Sequence, residues 1–158
     1  MSLPFNNTCR FNSVFAGVLC TAALSIAPVA FADDGSEASR ERALVIVTSD
    51  SLETQSMAMI LSRAMQEQGS DLHLLLCDGA GDLAVEGYAS ERTVAPRDIK
   101  PEGLLATMMN DGAKVDVCAI YLPNSEYEQD DLREGVGVAM PGPMAEMMRD
   151  PKIPVYTF

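Results

Sequence analysis

Three apolar runs punctuate this chain: ALVIVTS at 43–49, DLHLLLC at 71–77 and KVDVCAIYLPN at 114–124, the last with Cys118 in its later part, a few residues before the stop at Pro123. Runs of β-branched and leucine residues without polar alternation predict strands covered on both faces, as in a parallel sheet. Between the first two runs, Met57, Ile60, Leu61, Ala64 and Met65 recur at helical spacing. They predict a helix whose apolar stripe packs on the core, opened by Asp50 and Glu53 as a capping pair and stopped by Gly69. Strand, helix and strand at this spacing make a right-handed βαβ unit. A second helix is expected from Pro101, with Leu104, Leu105, Met108 and Met109 on its apolar face and Gly112 at its end.

Beyond the third run, SEYEQDDLREG (125–135) reads as a solvated acidic helix and VGVAM (136–140) as a fourth strand. PGPMAEMMRD (141–150) predicts a short helix opened by proline, and PVYTF (154–158) a fifth strand. Residues 79–100 are the least periodic. They are expected to hold a short helix near Leu83 and a mobile excursion over 90–98. The sum is a single α/β domain of three layers, α/β/α, around a mostly parallel five-stranded sheet. In such sheets, chemistry gathers beyond the carboxyl ends of the strands.

The first 32 residues follow a different rule. They hold one basic residue, Arg10, no acidic residue, and an apolar stretch ending in Ala30-Phe31-Ala32. That is the build of a signal peptide cleaved before Asp33. Ser25 and Pro28 break the apolar stretch and DDGSEASRER follows it, which disfavours a permanent membrane helix. Leu19 before Cys20 is too large for a lipoprotein signal. The expected organisation is a signal peptide at 1–32, a flexible lead-in at 33–42 and the folded domain at 43–158, in a periplasmic or secreted protein without membrane attachment after cleavage.

Charge and cysteine count change meaning with export. The chain has 23 acidic against 11 basic residues, a net charge of −12, and loss of Arg10 makes it one unit more negative. Such a surface repels nucleic acid and anionic membrane, and neither is expected as a partner. Of four cysteines, Cys9 and Cys20 would leave with the signal, so that Cys77 and Cys118 remain. In an oxidising compartment, two cysteines in a small domain are a disulfide candidate.

Other motifs carry less. The glycines of CDGAGD (77–82) lack the spacing and the position of a dinucleotide loop. Ser49 and Ser51, at the exit of the first strand, could receive a small anion at a helix start, although capping accounts for the same residues. The ten methionines raise copper, but Met57 and Met65 fall on the predicted core stripe, and Met144, Met147 and Met148 form a face of their own. His73, the only histidine, has no partner at ligand spacing, so no metal or other cofactor is expected. Cys118 remains open among three roles: a packed inert cysteine, half of a disulfide with Cys77, and a working thiol. A helix beginning near Ser125 would turn its positive end toward Cys118 and favour the thiolate.

The order ALVIVTSDSLET, GSDLHLLLCDGAGDLAVEG, IKPEGLLATMMNDGAKVDVCAIYLPN and GVGVAMPGPMAEMM resembles the DsrE/DsrF-like proteins over Ala43 to Phe158. The sharpest part is a helix, a glycine and then KVDVC, because the family's sulfur-handling cysteine follows such an approach, which places that role on Cys118. The resemblance implies a parallel α/β fold, a trimer or hexamer, and transfer of sulfane sulfur as a cysteine persulfide between a donor and an acceptor protein. It leads to Cys118 as the sulfur-bearing residue, Cys77 as resolving partner or second acceptor, and Asp78 and Asn124 as residues shaping the site. The alternative is a non-catalytic oligomeric binding or scaffold module whose cysteines are structural.

Overall fold

The computed structural model describes residues 41–158. The expected signal peptide and most of the lead-in, with Cys9 and Cys20, lie outside the described residues. Five strands form one sheet: β1 (Arg42–Val47), β2 (Asp71–Leu76), β3 (Lys114–Cys118), β4 (Gly137–Ala139) and β5 (Val155–Thr157). Their order is β4-β3-β2-β1-β5 and all four pairings are parallel. Helices α1 (Leu52–Glu67) and α2 (Pro101–Asn110) cover one face, and α3 (Pro141–Arg149) covers the other. The layering follows from handedness. The crossovers β1 to β2 and β2 to β3 step in one direction, whereas β4 to β5 steps back across the sheet, so a right-handed crossover there puts its helix on the opposite side.

The main core joins Val45, Val47, Leu72, Leu74, Leu76, Val115 and Val117 to Met59 of α1 and to Leu105 and Met108 of α2. A smaller core on the far face joins Leu44, Leu75 and Ala139 to Met144 and Ile153. Alternate residues of each strand feed alternate cores, so the apolar runs are continuous because both faces are covered. On the far face, the His73 ring meets the Asp116 carboxylate at 2.7 Å, and a Cβ on Gly137 would collide with that carboxylate. A strand position opposite a buried carboxylate therefore has no side chain.

Three expectations need correction. The stripe of α1 is turned outward: Met57, Ile60 and Leu61 are 47%, 42% and 46% exposed, while Gln55, Ser56, Ala58, Met59 and Ser62 are buried. Small residues let the helix approach the sheet closely, and close approach outweighs the larger but more distant apolar side chains. Met57 is thus no core residue. Secondly, 125–135 forms no α-helix. A short 3₁₀ turn at Leu122–Asn124 and another at Gln129–Asp131 carry the β3–β4 connection. Proline follows the strand too soon, and the acidic run has no apolar face to dock. Thirdly, β3 stops at Cys118 instead of running on toward Pro123, because the chain turns there and the Tyr121 N–H bonds to the Cys118 carbonyl at 2.9 Å. The excursion over 90–98 is bonded at its start and near its end. Ser90 is buried and gives both its N–H (3.0 Å) and its hydroxyl (2.7 Å) to Glu102, and Val94 and Ile99 exchange backbone hydrogen bonds.

Glu102 sits in the first turn of α2, where the helix dipole favours an anion. Burial alone would raise its pKa, but the bonds from Ser90 and from its own backbone outweigh burial and hold the carboxyl below the usual value. A depressed folded pKa adds stability that is complete above the unfolded value of 4.5 and is lost as pH falls through the folded one. Glu102→Gln is therefore expected to cost about 1–2 kcal/mol at neutral pH. The gap to the parent protein should close as the medium is acidified below the carboxylate range, as read by urea melts across a pH series.

Candidate functional site

At the carboxyl edge of the sheet, the strand register decides the chemistry. Leu76 pairs with Val117, and one further step brings Cys77 beside Cys118 on neighbouring strands. Both side chains then share the α3 face, where they pack against the smaller core. Adjacent strands lie about 4.8 Å apart, so the two thiols are neighbours. Both are free and half-buried. Burial first, and then the neighbouring Cys118 side chain and its charge, push the pKa of the Cys77 thiol up to about 12. Cys77 therefore keeps its proton at neutral pH.

The two cysteines open into a cavity of about 750 Å³. Its floor is Cys77 with the turn that follows β2, a 3₁₀ helix at Asp78–Ala84. Its wall is the β3–β4 connection, from Ile120 to Tyr127. Asp78 adopts a left-handed φ of 50°, a conformation that costs a non-glycine residue energy and clusters at functional sites. Gly79 and Gly81 have packing roles. A Cβ on Gly79 would lie 2.5 Å from the Asp50 Cβ, and one on Gly81 would enter the Tyr121 ring. Tyr121 lies over Gly81 and donates its hydroxyl to Asp82 Oδ1 at 2.6 Å. Burial raises the Tyr121 pKa above the ordinary phenol value, and the Asp82 carboxylate adds to the rise, so the hydroxyl stays a donor.

Of the five residues singled out in the sequence, Cys77, Cys118, Asp78 and Asn124 line this cavity. Asn124 also gives its side-chain amide to the Ile120 carbonyl at 2.7 Å, which closes the turn after β3. Ser49 is not among the lining residues. Its hydroxyl accepts the Ser51 N–H at 3.1 Å, and Ser51 in turn caps α1 by accepting from Thr54. The bonds support capping for the TSDS stretch, with Ser51 as the cap in place of the expected pair of Asp50 and Glu53. The positive helix end expected near Ser125 is missing, since no α-helix begins there.

Sequence reasoning missed Asp82, Tyr121, Tyr127 and Glu126, which also line the cavity. Tyr121 could have been found as an aromatic residue three positions after the cysteine, facing a Gly-x-Gly turn with room for a ring. It also missed Gln55. This buried amide donates to the Ser49 carbonyl at 2.9 Å and to the Gly79 carbonyl at 3.2 Å, fastening the exit of β1 to the cavity floor. Among the described residues, no group of three or more histidine, cysteine or acidic side chains is placed to hold a metal, and no helix is long and apolar enough to cross a membrane.

No family profile matches the chain, and no curated protein matches it in sequence. Solved structures do. The chain is similar to a protein of unknown function, MTH1491, from Methanobacterium thermoautotrophicum, at 16% identity and a TM-score of 0.59 over 74% of this chain and 98% of the other. It is also similar to the ychN protein of E. coli, at 20% identity and a TM-score of 0.57 over 74% of this chain and 99% of that one. With its single parallel sheet and its layer order, the chain has the α/β fold of the DsrE/YchN type.

Proposed function

We propose that this chain is an exported carrier of sulfane sulfur, which it holds as a persulfide on Cys118. The observation that carries the reading is the pair of free thiols, side by side at the carboxyl edge and open to a cavity with room for a small donor. The signal-peptide pattern of residues 1–32 supports export. The step is thiol exchange applied to a perthiol. The Cys118 thiolate attacks the outer sulfur of R–S–SH, the donor's S–S bond breaks, RS⁻ leaves, and the proton stays on the transferred sulfur.

Cys77 then decides how long the cargo lasts. Its attack on the persulfide would form the Cys77–Cys118 disulfide and release H₂S, with the Cys77 proton going to the leaving sulfur. The thiolate is the nucleophile in such exchange, and Cys77 is held as the thiol. Discharge inside the site is therefore slow, and the sulfur waits for an acceptor protein. The test is the intact mass of the protein after excess inorganic polysulfide in high salt. A reducible gain of about 32 Da is expected, one sulfur per chain. No gain in protein whose thiols titrate as free would overturn the proposal.

One observation favours the second reading, an oligomeric binding or scaffold module. The outward face of α1, with Met57, Ile60 and Leu61, has no covering element among the described residues. We propose a second copy of the chain as its cover, in keeping with the trimer or hexamer that the resemblance implies. Ile60→Glu is expected to lower the sedimentation-derived mass to that of a monomer while leaving circular dichroism unchanged, because the side chain is exposed within one copy. An unchanged mass would remove α1 from the interface.

A further inference from the structure

The lining of the cavity is one-sided in charge. Asp78, Asp82 and Glu126 face it, and among the described residues that line it there is no lysine, arginine or histidine. The surrounding chain adds to the same sign, with a net charge of −12. Most low-molecular-mass sulfur donors are anions. A site that drew thiosulfate, polysulfide or glutathione persulfide would need cationic groups to bring a second negative charge up to a thiolate. This lining offers the reverse, and a cleft with low-dielectric walls focuses its field on whatever enters.

We infer that the cavity selects sulfur donors carrying positive charge, of the aminothiol class, and discriminates against anionic ones. This deepens the persulfide reading and rests on it. An ammonium group four bonds from the transferred sulfur, as in a 2-aminoethyl persulfide, would lie against the carboxylates of Asp78 and Glu126 while the sulfur meets Cys118. Tyr121 leaves Asp82 free to take part, since its hydroxyl occupies only one of the two carboxylate oxygens. A volume of about 750 Å³ suits a small molecule of this kind. In the transfer, the Cys118 thiolate takes the outer sulfur with its proton, and the aminothiol departs as a thiolate beside its own ammonium, a better leaving group than the thiolate of an anionic donor.

The experiment uses symmetric disulfides as probes of the same exchange: cystamine as the cation, bis(2-hydroxyethyl) disulfide as the neutral compound and dithiodipropionate as the anion. Each gives Cys118–S–S–R and RS⁻, counted by intact mass against time. At low ionic strength, the cation is expected to react at least about tenfold faster than the anion, with the neutral probe between them. The spread should shrink as salt is raised, because the field is screened within about 10 Å at 0.1 M. Glu126→Gln should narrow the low-salt spread. Equal rates, or a faster anion, would overturn charge selection and leave the persulfide reading standing. No reaction with any of the three would overturn both, since the thiol would then be closed to exchange.

Discussion

Cys118→Ser is expected to abolish the gain of one sulfur on polysulfide treatment, and Cys77→Ser is expected to keep it. The two variants separate because the two thiols differ in what they can do, although they stand side by side on one sheet face. Serine at 118 removes the attacking sulfur, while burial, the largest cause of the raised pKa of Cys77, remains in the variant and keeps that neighbour as the thiol. Serine at 77 keeps a hydrogen-bond donor beside Cys118 and deletes the route to an internal disulfide. The persulfide should therefore survive at least as long in Cys77→Ser as in the parent, measured as the fraction carrying about 32 Da after removal of the donor. Above pH 9 the parent alone should begin to lose sulfur faster, as the first fraction of Cys77 ionises. An adduct retained in Cys118→Ser and lost in Cys77→Ser would exchange the two roles.

Gly79→Ala is expected to be the most damaging of the single-methyl additions. The new Cβ would stand 2.5 Å from the Asp50 Cβ and 2.9 Å from its Cα, so the obstacle includes backbone that a rotamer change cannot move. Relief requires the cavity floor to pull away from the exit of β1, which breaks the Gln55 amide's bridge between the Ser49 and Gly79 carbonyls. Overpacking of this kind costs about 3 kcal/mol. The melting temperature should fall by about 10 °C. Gly103→Ala, where a Cβ meets nothing within 4 Å on the first turns of α2, serves as the control and should be neutral or slightly stabilising. A small effect at position 79 would mean that the floor and β1 are not rigidly joined.

The strands were legible because burial on both faces writes itself as an unbroken apolar run, and β1, β2 and β3 lie where those runs are. Helix α2 was legible for a related reason: Leu105 and Met108 are fully buried, and Leu104 and Met109 flank them against the core. Helix α1 was legible as a helix but not in its rotation. Periodicity reports that a face is apolar and says nothing about which face meets the sheet when the opposite one is built of Ala58, Ser56 and Ser62. The acidic stretch at 125–135 misled in another way, since charge alone cannot distinguish a solvated helix from a solvated loop.

The site divides along the same line. Cys118 stood out as a cysteine inside the third apolar run, although the strand ends at it and not at Pro123, and Cys77 by its place before a glycine turn. That they share a face is a fact of register, which a single sequence does not reveal because a shift of one residue would turn either side chain over. Tyr121 and Asp82 were hidden because their pairing spans 39 positions and depends on the bareness of Gly81.

The connection from β3 to β4 crosses without a helix. Its far end is tied to the floor by bonds from the Glu86 N–H to the Asp131 carbonyl and from the Arg133 N–H to that of Ala84. Its near end, 120–127, is held chiefly by its own turns and by the Tyr121 hydroxyl. Exchanges at Ser125 and Glu126, which leave the core-packed Tyr127 in place, would thus reshape what the pair of sulfurs can receive at little cost to the scaffold's folding energy. Diversification of cargo in molecules built this way needs changes in one short span of chain, and a library confined to those few codons would sample it.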